Sequence, residues 1–243
     1  SSNIGLKSFL SIQASTFSSQ WNASGQVPER AVLSGLINRF GSIDDKEGGQ
    51  TARTNLNVQL STRLNSQLTW SNQAYYSRYD FNLFSNFTFF LEDPVNGDQI
   101  NQRERRNLFG YTSRLDRGTM LGNWNSKTTL GLGIRNDQTK DSELSHTKDR
   151  STVLNKIQSG DISESNFSAF AEQTFSDRKW SINIGTRFDY FQFQNTDHLQ
   201  NEAKKKNSKT IISPKINIHY TINPRAQVFL KLGKGFHSND TRL

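Results

Sequence analysis

The chain has no cysteine, four prolines and a single methionine. Without cysteine there is neither a disulfide framework nor a thiolate metal site, which suits an oxidising compartment as well as many cytoplasmic proteins. Long apolar runs are missing too: none exceeds three residues, Phe89–Leu91 being one. A membrane-spanning helix needs about 20 such residues, so a helical span is excluded. The opening SSNIGLK lacks the basic-then-apolar pattern of a secretory signal, as expected of a mature protein or an excised piece. Apolar residues are scarce, 33% of 243 with a mean hydropathy of −0.74, which is poor provision for a soluble core of this size. The net charge of +8 would permit an anionic partner. The cations are scattered apart from Lys204–Lys206, however, so they read as a solvated surface and no nucleic-acid partner is expected.

What the chain does have is alternation. In INIHYTINPRAQVFLKLGKGF (216–236), Ile216, Ile218, Tyr220, Val228, Leu230 and Leu232 share one parity, with Asn217, His219, Gln227 and Lys231 between them. Period two marks a strand with one apolar face. The pattern predicts nine long strands: 5–18, 52–64, 67–91, 104–116, 122–137, 163–175, 179–194, 209–221 and 224–236. Segment 52–64 sets Leu56, Val58, Leu60 and Leu64 against Asn55, Asn57, Gln59, Ser61 and Arg63. Helical heptads are absent, and Pro28, Pro94, Pro214 and Pro224 lie near ends and turns. The fold class is all-β.

The connections alternate between long (19–51, 92–103, 138–162, 195–208) and short (65–66, 117–121, 176–178, 222–223). A soluble sandwich has no reason to keep every long loop at one end, whereas an up-and-down outer-membrane barrel does. Strand length agrees, since a tilted membrane strand needs about 9–11 residues against a soluble average of about 5–6. Trp70, Trp124 and Trp180 each follow a short turn on the parity of their strand's apolar face, and Tyr220 precedes the 222–223 turn. These four are expected to form an interfacial aromatic girdle facing lipid. Hydrocarbon accepts only structures whose backbone groups are all paired, so the expected architecture is an antiparallel, up-and-down transmembrane β-barrel. Nine or so strands ending in HSNDTRL do not close an even-numbered barrel, so the chain is expected to be a segment of a larger one.

Candidate chemistry is thin. Gly131-Leu132-Gly133 and Gly233-Lys234-Gly235 neither continue as a phosphate-binding motif nor open a helix, and read as small residues on a lumen face. His237, Ser238 and Asp240 lie too close in sequence for a triad converging in space, so no enzyme is expected. Asp44, Asp45 and Glu47 lack the regular alternation of a calcium loop and read as a solvated turn. His146, His198 and His219 are dispersed, so neither metal nor cofactor is expected. Lys204–Lys206 reads as a loop tip, with anionic lipopolysaccharide or a ligand carboxylate as the other option. The candidate ligand contacts, on an extracellular loop or rim, are Trp21, Arg30 and Arg39 (with Phe40 beside them), and His237, Asn239, Asp240 and Arg242.

Three stretches carry a resemblance: ASGQVPERAVLSGLINRFGSIDDKEGGQTARTNL (23–56), SNFSAFAEQTFSDRKWSINIGTRFDYFQF (165–193) and SPKINIHYTINPRAQVFLKLGKGFHSNDTR (213–242). Together they resemble barrel segments of TonB-dependent outer-membrane receptors. The resemblance implies a barrel of about 22 strands occluded by a plug, in the outer membrane of a Gram-negative bacterium. It implies uptake of a scarce solute such as an iron–siderophore chelate or cobalamin, driven through the TonB–ExbB–ExbD complex. Residues 1–243 then form part of the C-terminal barrel domain, about nine or ten strands of it, with neither plug nor TonB box in this sequence. The other readings are a porin or adhesin barrel, and a soluble all-β binding module.

Overall fold

The computed structural model describes residues 2–3, 7–200 and 203–236. Ten strands form one sheet: β1 (Ser2–Asn3), β2 (Ser8–Asn22), β3 (Gly48–Arg63), β4 (Leu68–Ser85), β5 (Ile100–Leu121), β6 (Trp124–Lys148), β7 (Thr152–Ser176), β8 (Trp180–Asp197), β9 (Ala203–Asn223) and β10 (Ala226–Gly233). Spatial order follows chain order, and neighbours pair antiparallel throughout. One short helix, α1 (Glu29–Leu33), sits in the first long connection.

Register aligns the alternating residues into continuous rows. One row runs Ala14, Leu56, Tyr76, Phe109 and Asn136; the next runs Ile12, Val58, Ala74, Tyr111, Ile134, Phe167, Tyr190 and Thr210. Below them come Leu132, Ala169, Phe188 and Ile212. Burial then separates the two faces. Ile12, Leu56, Phe109, Leu132, Ile134, Phe167, Phe188, Ile212 and Leu230 are all exposed, Leu132 at 65%. On the opposite parity Thr129, Asp137, Asn166, Ser168, Asp189 and Phe191 are buried. Side chains converge on the inside of a curved sheet and splay on its outside, so the polar face is the concave one.

Among the described residues only Ala31 and Phe191 are buried apolar side chains. The molecule has no oily interior. Its oil is on the outside, where covering one large aliphatic or aromatic side chain is worth about 1.5–3 kcal/mol. A solvent that is itself apolar is what this surface fits. No helix among the described residues is long and apolar enough to cross a membrane, so any crossing is by strands.

The nine expected strands are present as β2 to β10, but several boundaries move. β2 runs on to Asn22 and β3 starts at Gly48, which places Trp21 on a strand opposite Gly49 rather than in a loop. β4 ends at Ser85, and residues 86–99 form a loop where strand had been expected as far as 91. The largest correction concerns 138–162, expected as a loop. There β6 and β7, 25 residues each, extend as one hairpin that turns only at 149–151. Likewise Lys204–Lys206 belong to β9 and pair with Thr196, Asn195 and Gln194. In both stretches the apolar alternation has stopped, as it does in a strand with water on both faces. Bulges between Thr139 and Ser142, and again near Ser145 and Thr147, shift what parity remains. What alternates along the chain is therefore reach rather than loop length. The loops at 23–47 and 86–99 and the β6–β7 tip share one end, and the turns at 64–67, 122–123, 177–179 and 224–225 share the other.

Glycine on the concave face has a packing role. A Cβ on Gly131 would lie 2.1 Å from the Phe170 ring, and one on Gly110 would lie 2.2 Å from the ring of Tyr75. The rings lie flat across these strands because the glycines leave room.

Candidate functional site

Two polar assemblies stand out, one along the concave wall and one at the long-connection rim. The wall is built on a local rule. Period two places residues i and i+2 on the same face, and Arg-x-Asp recurs in β5, β6 and β8 as Arg114/Asp116, Arg135/Asp137 and Arg187/Asp189. In each pair the arginine grips its neighbour, at 2.8, 2.9 and 2.8 Å. Cross-strand partners complete the groups. Arg106 donates from Nε to Asp137 Oδ1 at 2.7 Å, Lys127 lies 3.3 Å from Asp116, and Asn166 donates to Asp189 Oδ1 at 3.1 Å. Lys215 meets Glu172 at 2.7 Å.

The partners are unequally placed. The side chains of Asp189 and Arg187 are 1% and 45% exposed, and Asp137, at 7%, is likewise buried beneath the half-exposed Arg106 and Arg135. Each carboxylate lies against the backbone while the guanidinium faces the lumen. A bidentate carboxylate fixes the plane of an arginine and leaves its remaining N–H groups to offer. The wall thus holds a set of oriented cations suited to carboxylate or other anionic oxygens.

The rim is the most thoroughly buried region, and apart from Ala31 of α1 its buried side chains are polar: Glu47, Ser85, Asn86, Asp98, Gln99, Asn101, Ser145 and Thr147. Gln99 is its hub. Its amide nitrogen donates to Asp44 Oδ2 and the Lys46 carbonyl, both at 3.4 Å. Its oxygen accepts from the Arg150 backbone N–H at 2.9 Å and from the Thr147 hydroxyl at 3.3 Å. Arg150 sits at the β6–β7 tip with φ of 59°, a left-handed conformation unusual for a residue with a long side chain. Its guanidinium donates to the Lys46 and Glu47 carbonyls and, at 3.1 Å, to Asn22 Oδ1, while lying 5.9 Å from the Phe84 ring centre. Loop 23–47, loop 86–99 and the hairpin tip are thereby tied into one body.

Inside loop 86–99 the Asp98 carboxylate accepts from the backbone N–H groups of Leu91, Glu92 and Asp93, the shortest at 2.7 Å. Burial pushes this carboxyl up, but those donors and the Thr88 hydroxyl outweigh it and hold Asp98 below the usual carboxylate range. Glu47 is the reverse case. It is 3% exposed and its Oε1 has no hydrogen-bond partner among the described residues. Burial pushes its carboxyl up and nearby Asp44 adds to this, against one hydrogen bond from the Asn86 backbone.

Of the residues singled out in the sequence, Trp21 lies at the rim end of β2. Arg30, Arg39 and Phe40 lie exposed on loop 23–47, Phe40 at 96%. His237, Asn239, Asp240 and Arg242 fall outside the described residues. Trp70, Trp124, Trp180 and Tyr220 all lie on the apolar parity beside the short turns. Trp180 and Tyr220 are direct register partners with rings 4.4 Å apart, and Trp70 donates to Ser113 at 2.8 Å. Gln99, Arg150 and Asp98 were missed, as were the Arg-x-Asp pairs. The last had a readable signal in the repeated spacing.

The family model "TonB dependent receptor-like, beta-barrel" matches residues 6–242. The chain belongs to this family. Solved structures agree on the fold. The unliganded ferric citrate transporter FecA superposes with a TM-score of 0.78 at 12% identity, covering 93% of this chain and 33% of FecA. The open form of the ferric-catecholate import receptor Fiu from E. coli gives 0.69 at 9% identity, over 94% of this chain and 44% of Fiu. The siderophore receptor PiuA from Acinetobacter baumannii gives 0.67 at 11% identity, over 90% and 38%. The chain therefore spans between a third and a half of each of these receptors. No curated protein matches it.

Proposed function

We propose that this TonB-dependent receptor segment forms part of the wall of an outer-membrane importer in a Gram-negative bacterium, and that the imported solute is anionic, a ferric chelate being the best fit. The observation that carries the reading is the concave wall, where buried carboxylates orient arginines toward the lumen. Such a wall stabilises a passing carboxylate-rich or catecholate complex through charge-assisted hydrogen bonds. The sampled relatives are named for ferric citrate, ferric catecholates and siderophores, which supports the same chemical class. A plug region outside this sequence would couple the barrel to TonB–ExbB–ExbD. Trp70, Trp124, Trp180 and Tyr220 would mark the membrane interface nearest the short turns, and loops 23–47 and 86–99 the extracellular side. Trp21, Arg30 and Arg39 would meet solute at that rim.

The test is iron-limited growth of a strain whose only high-affinity receptor is the full-length parent. Ferric citrate or a ferric siderophore should restore growth in a TonB-dependent manner, and a double Arg135→Gln, Arg187→Gln variant should slow uptake. Restoration by a cationic or neutral solute alone, or uptake that survives loss of TonB, would contradict the reading.

A further inference from the structure

The β6–β7 hairpin is covered along one edge only. On the β6 side, β5 pairs as far as His146 and loop 86–99 then takes over, the Gln99 carbonyl accepting from the Thr147 N–H at 2.8 Å and Lys148 reaching Asn96 at 3.3 Å. On the β7 side, pairing with β8 ends at Gly160 and Asp197, and the last link runs from the His198 N–H to the Ser159 carbonyl at 2.9 Å. Residues 152–158 thus have β6 along one edge and, among the described residues, no strand along the other. All of them are exposed, including Val153, Leu154 and Ile157. Proteins usually blunt an open strand edge with bulges and charges. Here the register skips Leu154 and Ile157, which have no partner on β6, so both bulged positions carry apolar side chains. Lys156 between them is held by Glu143 at 2.9 Å. Beside this edge lies a basic step, because β8 and β9 stop where β7 goes on. Lys204 is two strands across from Asp161, about 10 Å at the usual strand spacing. Lys204, Lys205 and Lys206 are exposed and have no ion pair among the described residues, from which Glu202 is absent. Asp161 faces His198 at 3.6 Å and accepts from the Asp141 backbone N–H, and Asp197 accepts from the Leu199 and Gln200 N–H groups.

We propose that this step docks an extended acidic segment of another polypeptide, laid along residues 152–158 with apolar side chains against Val153, Leu154 and Ile157 and carboxylates over Lys204–Lys206. Charge chooses the occupant. A second copy of this chain would bring its own three lysines to the contact, and a small free anion would leave the apolar edge bare. An extended peptide answers both halves of the step, since main-chain groups along a strand edge give affinity and alternate side chains give the choice of partner. Complementary charge across the contact then rejects basic and neutral competitors. The inference goes beyond solute import and shares with it only the placement of the long connections in water.

The experiment uses the full-length receptor in detergent, with folding of every variant checked by heat-modifiable gel mobility. The probe is a short fluorescein-labelled peptide of alternating valine and glutamate, titrated by fluorescence anisotropy. Two peptides of the same length serve as controls, one with lysine in place of glutamate and one with serine in place of valine. Only the valine–glutamate peptide is expected to bind saturably. Replacing Lys204, Lys205 and Lys206 together by glutamine should weaken it about ten-fold, the combined weight of three exposed ion pairs, and replacing them by arginine should not. Ile157→Ser and Leu154→Ser should each weaken it about five-fold, while Lys179→Gln at the short-turn end leaves it unchanged. Added salt should weaken binding to the wild type more than to the glutamine variant. No binding of the valine–glutamate peptide, equal binding of either control, or unchanged affinity in the glutamine variant would each overturn the proposal. None of these results would alter TonB-dependent uptake of a ferric solute, so the two readings fail separately.

Discussion

The middle of the sheet and its long-connection rim solve the same problem in opposite ways. In the middle, strands β3 to β9 bury almost no apolar side chain against one another and leave a continuous oily face outward. At the rim the chain folds over itself, and the groups it buries are amides, hydroxyls and carboxylates joined by hydrogen bonds. The difference follows from the solvent. Where lipid covers one face, the surroundings take the place of a core and only the backbone must be satisfied internally. Where water reaches both faces, order has to come from specific contacts, and here it comes from a hydrogen-bonded polar cluster in which Glu47 Oε1 is an unpaired exception.

The contrast breaks most sharply under a charge. Leu132→Arg in the middle of the oily face is expected to destabilise the full-length receptor in lipid vesicles by about 2–4 kcal/mol, while Gln138→Arg on the same face above the band costs about 0–1 kcal/mol. Denaturant unfolding from vesicles measures both, and equal costs would remove the distinction between the regions. Next in size is the hub. Gln99→Ala strands several buried partners at about 1–3 kcal/mol. It should raise hydrogen exchange across loops 23–47 and 86–99 while leaving the band amides of β5 to β8 protected. A loss of protection spread through the whole sheet would show that rim and band form one cooperative unit.

Two rim carboxyls sharpen the comparison with smaller, opposite effects. Asp98 titrates below its unfolded value, so its contribution is present at pH above the unfolded carboxylate range and is lost as pH falls through its folded value. Loop 86–99 should loosen only in strong acid, and Asp98→Asn should remove that transition. Glu47 titrates above its unfolded value, so the stability held by its neutral form is lost as pH rises through the folded value. Glu47→Gln should therefore increase rim protection at neutral pH, with the gain vanishing on acidification through the carboxylate range. A gain that persisted in acid would mean that the charge of Glu47 is not its cause.

How much of this could be read from residue order differs by region for the same reason. Alternation in segments such as 52–64 and 216–221 reveals strand, face and lipid exposure together, because lipid imposes period two. It fails at 138–162 and 204–208, where strands continue in water and nothing forces a pattern. The rim hub joins residues 22, 44, 99, 147 and 150, whose spacings carry no local signal. The wall of arginines lay between. Arg114/Asp116, Arg135/Asp137 and Arg187/Asp189 repeat a same-face spacing that β-geometry alone makes meaningful, although which aspartates are buried depends on sheet curvature.

The absence of cysteine from this segment makes the central claim directly measurable. Single Ile216→Cys, Asn217→Cys, Ile218→Cys and His219→Cys variants of the full-length receptor, spin-labelled in vesicles, report lipid or water contact residue by residue. Positions 216 and 218 should relax with oxygen dissolved in the bilayer, and positions 217 and 219 with a water-soluble nickel complex. Uniform accessibility along the four, or the opposite alternation, would contradict a wall with lipid on one side and an aqueous lumen on the other.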